Sequence, residues 1–331
     1  MKSIVEISRS SDTFNVFWHL TDFCNYKCHY CPAWLKAGDY HQGRKAGFPT
    51  DDEIRTFLDN LENVYLANGR KLHMVLSGGE PTIHPMFPEI VARCKPHGVV
   101  SMTSNGSRPL NWWKSLPALP NGINMSLHHE TTDIEKVNLL VDFLNANNVQ
   151  IRFNLVCDPA HWDASMALFN GLRPEYQNWV YAWPLHDPSP VRDRDIYTYT
   201  DEQQNWMNLR NKRLANYRLA FGSKFKNEIA VVHFSDGTKK QMTEISETTL
   251  KLNKMNYFNG WECWVGTDSI DIYFSGEVWS SICKVAKLGR IDNFSLINKP
   301  VICDRNICIH PADLAIRKNQ PSKNDNLTDQ T

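Results

Sequence analysis

Residues 21–34, "TDFCNYKCHYCPAW", place three cysteines within eight positions, Cys24, Cys28 and Cys31. They directly follow "NVFWHL" (15–20), a β-branched and aromatic run of strand character. Three thiols just past a strand end form a donor set short by one. A structural zinc site normally closes with four protein ligands. No fourth Cys or His completes this group at ordinary finger spacing, although His29 and His41 lie nearby. A 4Fe–4S cluster has four irons, so three thiolates leave one iron open to a small molecule.

Outward from this stretch, strand-like runs alternate with amphipathic segments of helical length. Strands are predicted at "NVFWHL", "LHMVLS" (72–77), "VVSMTS" (99–104), "INMSLH" (123–128), "IRFNLVC" (151–157) and "WVYAW" (179–183). Between the first two, Thr50 and Glu53 form a capping box, Ile54, Phe57, Leu58, Leu61 and Tyr65 make an apolar stripe, and Gly69 ends the helix. A second helix is read from Ile134, Val137, Leu140, Phe143 and Leu144. The pattern predicts an α/β fold, a partial (β/α)6 TIM-like barrel over residues 14–190, because six units are too few to close an eight-stranded one. Ligands of such sheets bind at the C-terminal strand ends, where the three cysteines sit. Residues 1–13 are read as an N-terminal segment. Residues 191–258 are read as a connecting helix and a hairpin turning at Asp236-Gly237, and 319–331 as a disordered polar tail.

The loop resembles the signature of the radical S-adenosylmethionine (radical SAM) enzymes, Cys-x3-Cys-x-aromatic-Cys, with Cys24, Cys28, Tyr30 and Cys31 in its places. The resemblance implies a 4Fe–4S cluster on the three thiolates, its open iron chelated by the amino and carboxylate groups of S-adenosyl-L-methionine. "VLSGGEP" (75–81) ends the next strand. Gly78 and Gly79 would let backbone approach a ligand closely, and Glu80 could accept from its ammonium. This matches the family's motif for the cofactor's amino group. "TSNG" (103–106), with Asn105, resembles the family's third-strand end. Ser126 and His128 occupy places that contact the cofactor's ribose in the family, and Asn154 resembles a polar residue near its carboxylate or ribose.

Cys263, Cys283, Cys303 and Cys308 form a second set in the last 70 residues, two flanking the hairpin "DSIDIYFSGEVWSSIC" and two in a later loop. Four thiolates suit zinc as well as iron. Residues 259–318 resemble the small α+β auxiliary-cluster domains called twitch and SPASM, with Gly276 at the hairpin turn and Cys283 closing it. Six residues separate Gly276 from Cys283, where the larger SPASM pattern has four. The shorter twitch type, with one auxiliary 4Fe–4S cluster, is therefore the expectation, and zinc the alternative.

The resemblance implies reductive cleavage of S-adenosylmethionine to a 5'-deoxyadenosyl radical, which takes hydrogen from a substrate carbon. The expected substrate is a polar small molecule, possibly sugar-like, and the outcome oxidation or epimerisation. A maturase acting on a ribosomal peptide is an alternative, and a non-catalytic iron–sulfur or zinc protein another. Cys157 is a conceivable hydrogen donor for epimerisation, although strand alternation turns it away from the face of Asn154. Cys94, on a predicted helix, reads as core. His128, His129, Arg152, His186 and Asp187 are candidate substrate contacts, and residues 33–47 a candidate lid.

Composition bounds the partners. Lys plus Arg and Asp plus Glu balance at 36 each, which gives no reason to expect nucleic acid or an anionic membrane. Neither a secretory signal pattern nor an apolar run of spanning length is present, so a cytoplasmic protein with reduced cysteines is expected. An electron donor such as a flavodoxin or ferredoxin is implied by the resemblance.

Overall fold

The computed structural model describes residues 3–9, 12–31, 36–37, 48–185, 197–221, 230–242, 250, 254–308 and 310–320. The chain forms two compact units, each drawn from separated segments. One comprises Met1–Trp18, Gly47–His73 and Lys226–Thr331, the other His19–Ala46 and Met74–Phe225.

All six predicted strands are present, as Thr13–Thr21, Lys71–Gly78, Gly98–Ser104, Gly122–Leu127, Gln150–Cys157 and Val180–Pro184, in that order across one sheet. The third to sixth pair in parallel, which makes this an α/β fold with a parallel sheet. Alternation explains the two faces. Ile123, Met125 and Leu127 of the fourth strand and Ile151, Phe153 and Leu155 of the fifth are buried. Asn124, Ser126, Arg152 and Asn154 point to the opposite, half-buried face. The helix Phe87–Cys94 buries Phe87, Ile90, Val91 and Cys94, so Cys94 is core. The helix Ile134–Ala146 starts on Asp133, whose side chain accepts from the Lys136 N–H, and buries Val137, Leu140, Val141 and Leu144. At the sheet's far edge Asn211, on the helix Asp201–Phe221, accepts from the Ala182 N–H at 2.8 Å and donates to the Ala182 carbonyl at 3.1 Å. The edge strand thereby satisfies backbone groups that no further strand pairs.

In the other unit, Thr50 and Glu53 form the predicted capping box on the helix Asp51–Asn60. The helix does not run on to Tyr65; a π turn over Leu61–Tyr65 and a 3-10 turn over Ala67–Gly69 replace its end. The predicted hairpin is present as Ala230–Phe234 and Lys239–Gln241. Its partner on the other side is Ile4–Arg9, a strand that the sequence reading left unassigned within residues 1–13. The pairing joins Ile4 to Phe234, a separation that local pattern cannot reveal. Lys318–Asn319 continues the same sheet between Ile4–Arg9 and Glu262–Cys263, so Asn319 is strand where the sequence predicted the start of a disordered tail. Residues 321–331 lie outside the described residues. The C-terminal cysteines thus share one compact unit with the N-terminal strand and the hairpin, rather than standing in a 259–318 block.

This unit is tied by one carboxylate. Asp268, 2% exposed at its side chain, accepts from Arg317 at 2.7 and 2.8 Å and lies 3.3 Å from both Arg9 and Arg70. Three guanidinium groups on one buried anion leave little tolerance for its neutralisation. Asp268→Asn is expected to cost about 2 kcal/mol of stability, read as a fall in the urea midpoint at unchanged slope. Among the described residues no helix is long and apolar enough to cross a membrane.

Candidate active site at the strand ends

The first strand ends at Thr21, and the chain turns into the cysteine loop through Phe23–Cys24, which pairs in parallel with Lys36–Ala37. The Thr21 hydroxyl accepts from the Phe23 N–H at 3.0 Å and sets this turn. Against it lies the end of the second strand, where Gly79 N–H donates to the Thr21 carbonyl at 2.7 Å and Glu80 N–H to the Phe23 carbonyl at 2.8 Å. A Cβ on Gly78 would fall 2.3 Å from the Thr21 carbonyl oxygen, and one on Gly79 1.9 Å from that of Phe23. The glycines are therefore required by the approach of the chain to itself, where the sequence reading had ascribed them to a ligand.

Glu80 is 1% exposed. One carboxylate oxygen accepts from the Thr82 N–H at 3.0 Å, the Thr82 hydroxyl at 2.6 Å and the Ser104 hydroxyl at 2.9 Å; the other accepts from the Asn105 N–H at 2.7 Å. Burial pushes its carboxyl above the ordinary range, and these four donors pull it back. The first oxygen is fully engaged and the second keeps one lone pair, and the carboxylate locks the second strand's end to the third's. Asn105 then reaches the cysteine loop, its Nδ2 lying 3.7 Å from the Cys24 sulfur and 3.0 Å from the Asn25 side-chain oxygen.

Cys24, Cys28 and Cys31 converge within the loop. The Cys31 thiol beside Cys28, with His128 and Tyr30, holds the Cys28 thiol at about 4, a thiolate at neutral pH. The same neighbour pushes Cys31 up, and burial raises Cys24 to about 11. Tyr30 O–H lies 2.9 Å from His128 Nδ1 with the two rings stacked, and Cys28 and Tyr30 pack on Val156 and Leu185. Three cysteine sulfurs brought together, with Cys28 and Cys31 interacting directly, are a donor set suited to an iron–sulfur cluster, whose ligands are thiolates. Ser126 pairs in register with Asn154, whose buried side-chain oxygen has no hydrogen-bond partner, an acceptor available to a ligand hydroxyl. Thr103, Asn124, Arg152 and Tyr181 extend this face by register. Asn124 and Tyr181 were not singled out from sequence; period two from Ser126 reaches Asn124, whereas Tyr181 is placed only by the register between the fifth and sixth strands.

Cys157 is 0% exposed; its thiol rests 3.5 Å from the Leu155 carbonyl, and burial pushes it up to about 12. It faces the apolar side with Phe153 and Leu155, so it is withdrawn as a hydrogen donor. His186, Asp187, His41 and, apart from Lys36–Ala37, the candidate lid 33–47 lie outside the described residues.

In the other unit Cys263, Cys283, Cys303 and Cys308 belong to one apolar cluster. Glu262–Cys263 pairs with Val301–Ile302, and Cys303 N–H donates to the Trp261 carbonyl at 2.8 Å, which sets Cys263 and Cys303 on neighbouring chains. Asn256 fixes Cys308 through both its backbone carbonyl and its side chain. Burial pushes the Cys263, Cys283 and Cys308 thiols up. Buried Lys318 opposes this at Cys263 and Cys308; its ammonium is held by the carbonyls of Asp313, Leu314 and Ile316. The cation partly offsets burial at these two thiols, and four cysteines gathered in one cluster make a donor set of the number that zinc or a 4Fe–4S cluster takes.

Residues 18–145 match the family model of the Radical SAM superfamily. The chain is 34% identical over 131 residues to a probable GTP 3',8-cyclase of Thermococcus kodakarensis, covering 38% of this chain and 39% of that protein. It is 26% identical over 166 residues to an S-adenosylmethionine-dependent nucleotide dehydratase of Psychrobacter lutiphocae, covering 49% and 53%. The matches thus span about two fifths to one half of these relatives' length. The solved structure of native anSMEcpe with bound AdoMet is similar in fold, with a TM-score of 0.52 at 16% identity, over 85% of this chain and 79% of that one.

Proposed function

We propose that this chain, a member of the radical SAM superfamily through residues 18–145, is an enzyme that abstracts hydrogen from a polar small molecule of the nucleotide class. The observation that carries the reading is the convergence of Cys24, Cys28 and Cys31 at the end of the first strand, with Cys28 stored as thiolate. When bound, a 4Fe–4S cluster and S-adenosylmethionine supply reductive carbon–sulfur cleavage, the source of a hydrogen-abstracting radical. The three cysteines hold the cluster. Asn105 and Tyr30 fix the loop that carries them. Ser126 and Asn154 accept and donate to the ribose hydroxyls, on a sheet that we read as the predicted partial barrel.

Two curated relatives are named for nucleotides, a cyclase for GTP and a nucleotide dehydratase, and this favours a nucleotide over an unlinked sugar. Arg152, on the polar face, suits a phosphate-bearing substrate. With Cys157 turned into the core, epimerisation by that thiol is set aside and oxidation is the preferred outcome. Cys263, Cys283, Cys303 and Cys308 are the residues that would hold a second 4Fe–4S cluster, which would supply a one-electron acceptor for such an oxidation. A flavodoxin or ferredoxin is the proposed reductant.

Two measurements test this reading. Anaerobic reconstitution is expected to load about eight irons per chain, and about four with zinc in place of the rest would remove the second cluster. Incubation of the reduced protein with ribose-deuterated GTP, UTP and CTP is expected to move deuterium into 5'-deoxyadenosine for one of them. Formation of unlabelled 5'-deoxyadenosine with all three would keep the enzyme and discard the nucleotide.

A further inference from the structure

Beside the cysteine loop, three histidines converge on one carboxylate that the preceding reading does not use. The Asp158 side chain is 1% exposed, and its Oδ1 accepts from the Ala160 N–H at 2.9 Å. Its Oδ2 lies 2.9 Å from His161 Nδ1, 3.5 Å from His29 Nε2 and 3.7 Å from His129 Nε2. Ligand atoms of His129, Asp158 and His161 all lie within 4.8 Å of one another. His29 comes from the cysteine loop, between Cys28 and Cys31; His129 follows the fourth strand, and Asp158 and His161 follow the fifth.

The polar groups of this cluster are incompletely paired. His29 lies between two carboxylates, its Nδ1 2.9 Å from Glu130 Oε1 and its Nε2 3.5 Å from Asp158 Oδ2. The His129 side chain is 6% exposed, its Nδ1 has no hydrogen-bond partner, and its Nε2 stands beyond hydrogen-bond reach of the carboxylate. Burial pulls the His129 imidazole toward its neutral form. A cation held by Asp158 Oδ2 and one nitrogen each of His129 and His161 would use ligand atoms that already lie within 4.8 Å of one another. Zinc–nitrogen and zinc–oxygen bonds of about 2.0–2.1 Å in a tetrahedron separate neighbouring ligand atoms by roughly 3.3 Å. The separations from Asp158 Oδ2 to His161 Nδ1 and His129 Nε2, 2.9 and 3.7 Å, bracket that value.

We propose that His129, Asp158 and His161 bind one divalent transition-metal ion of the zinc type, with water as the fourth ligand. Imidazole and carboxylate donors suit zinc better than magnesium or calcium, which take oxygen shells. The ion joins the ends of the fourth and fifth strands, which carry His129 and the Asp158–His161 turn, and its occupancy does not depend on the nucleotide reading.

The test uses the full chain with its iron–sulfur content assembled anaerobically, equilibrated with zinc and a competing chelator, then desalted. His161→Ala is the informative variant because His161 is 56% exposed at its side chain and its removal leaves the core intact. The expected result is one zinc per chain in the parent that is absent from the variant, with affinity about 100-fold weaker. X-ray absorption at the zinc edge is expected to show that this zinc has nitrogen and oxygen neighbours at about 2.0–2.1 Å and no sulfur at about 2.3 Å. Equal zinc content in the two proteins, or sulfur around the zinc that the variant loses, overturns the proposal.

Discussion

Gly79→Ala is expected to unfold the cysteine loop's seat at a cost of about 4 kcal/mol and to abolish iron loading at Cys24, Cys28 and Cys31. The new Cβ would stand 1.9 Å from the Phe23 carbonyl oxygen and 2.4 Å from the carbonyl carbon. Both are backbone atoms, so no rotamer change relieves the overlap. Either Phe23 moves away, breaking the bonds that Gly79 and Glu80 make to Thr21 and Phe23, or the second strand's end does. Both routes displace Cys24, the next residue along. Denaturant unfolding and iron counting on the same preparation read the two effects, and a Gly79→Ala protein of parental stability and iron content would refute the packing argument.

Glu80→Gln is expected to cost about 3 kcal/mol, the next largest effect, although it changes neither volume nor shape. The amide nitrogen must face either the Asn105 N–H at the place of one oxygen or the Thr82 N–H at the place of the other. In each orientation a donor meets a donor in a closed space and one backbone N–H is left unpaired. The Thr82 and Ser104 hydroxyls can rotate to accommodate the change, which is why the loss is smaller than for Gly79→Ala. The expected observation is a lowered denaturation midpoint with S-adenosylmethionine affinity unchanged once the protein is folded. A variant of parental stability that fails to bind the cofactor would instead return Glu80 to direct contact with its ammonium.

The contrast between these residues and the rest shows what the sequence could carry. The six strands were legible because each is a short β-branched or aromatic run bounded by turn residues, and Ser126 and Asn154 share a face because alternation places them there. Ile4–Arg9 was invisible because its pairing partners are Ala230–Phe234 and Lys318–Asn319, and nothing local marks them. Glu80 was recognised by its motif, while its structural contacts were not, since two of its donors come from Ser104 and Asn105, one strand away. Cys157 was turned from the site by alternation, and its burial agrees. Asp158 and His161 drew no notice in "CDPAH" (157–161), because a histidine cluster assembled from three separate loops has no spacing to read.

The most direct test of the central claim, that Cys24, Cys28 and Cys31 build an open cluster for S-adenosylmethionine, is 5'-deoxyadenosine formation by the reconstituted, reduced protein. The parent is expected to form it together with methionine, and Cys28→Ala, which lacks the stored thiolate, to fall to the protein-free background while retaining the irons of the C-terminal set. A fully loaded, reduced parent that forms none, or a Cys28→Ala protein that forms as much as the parent, would contradict the account.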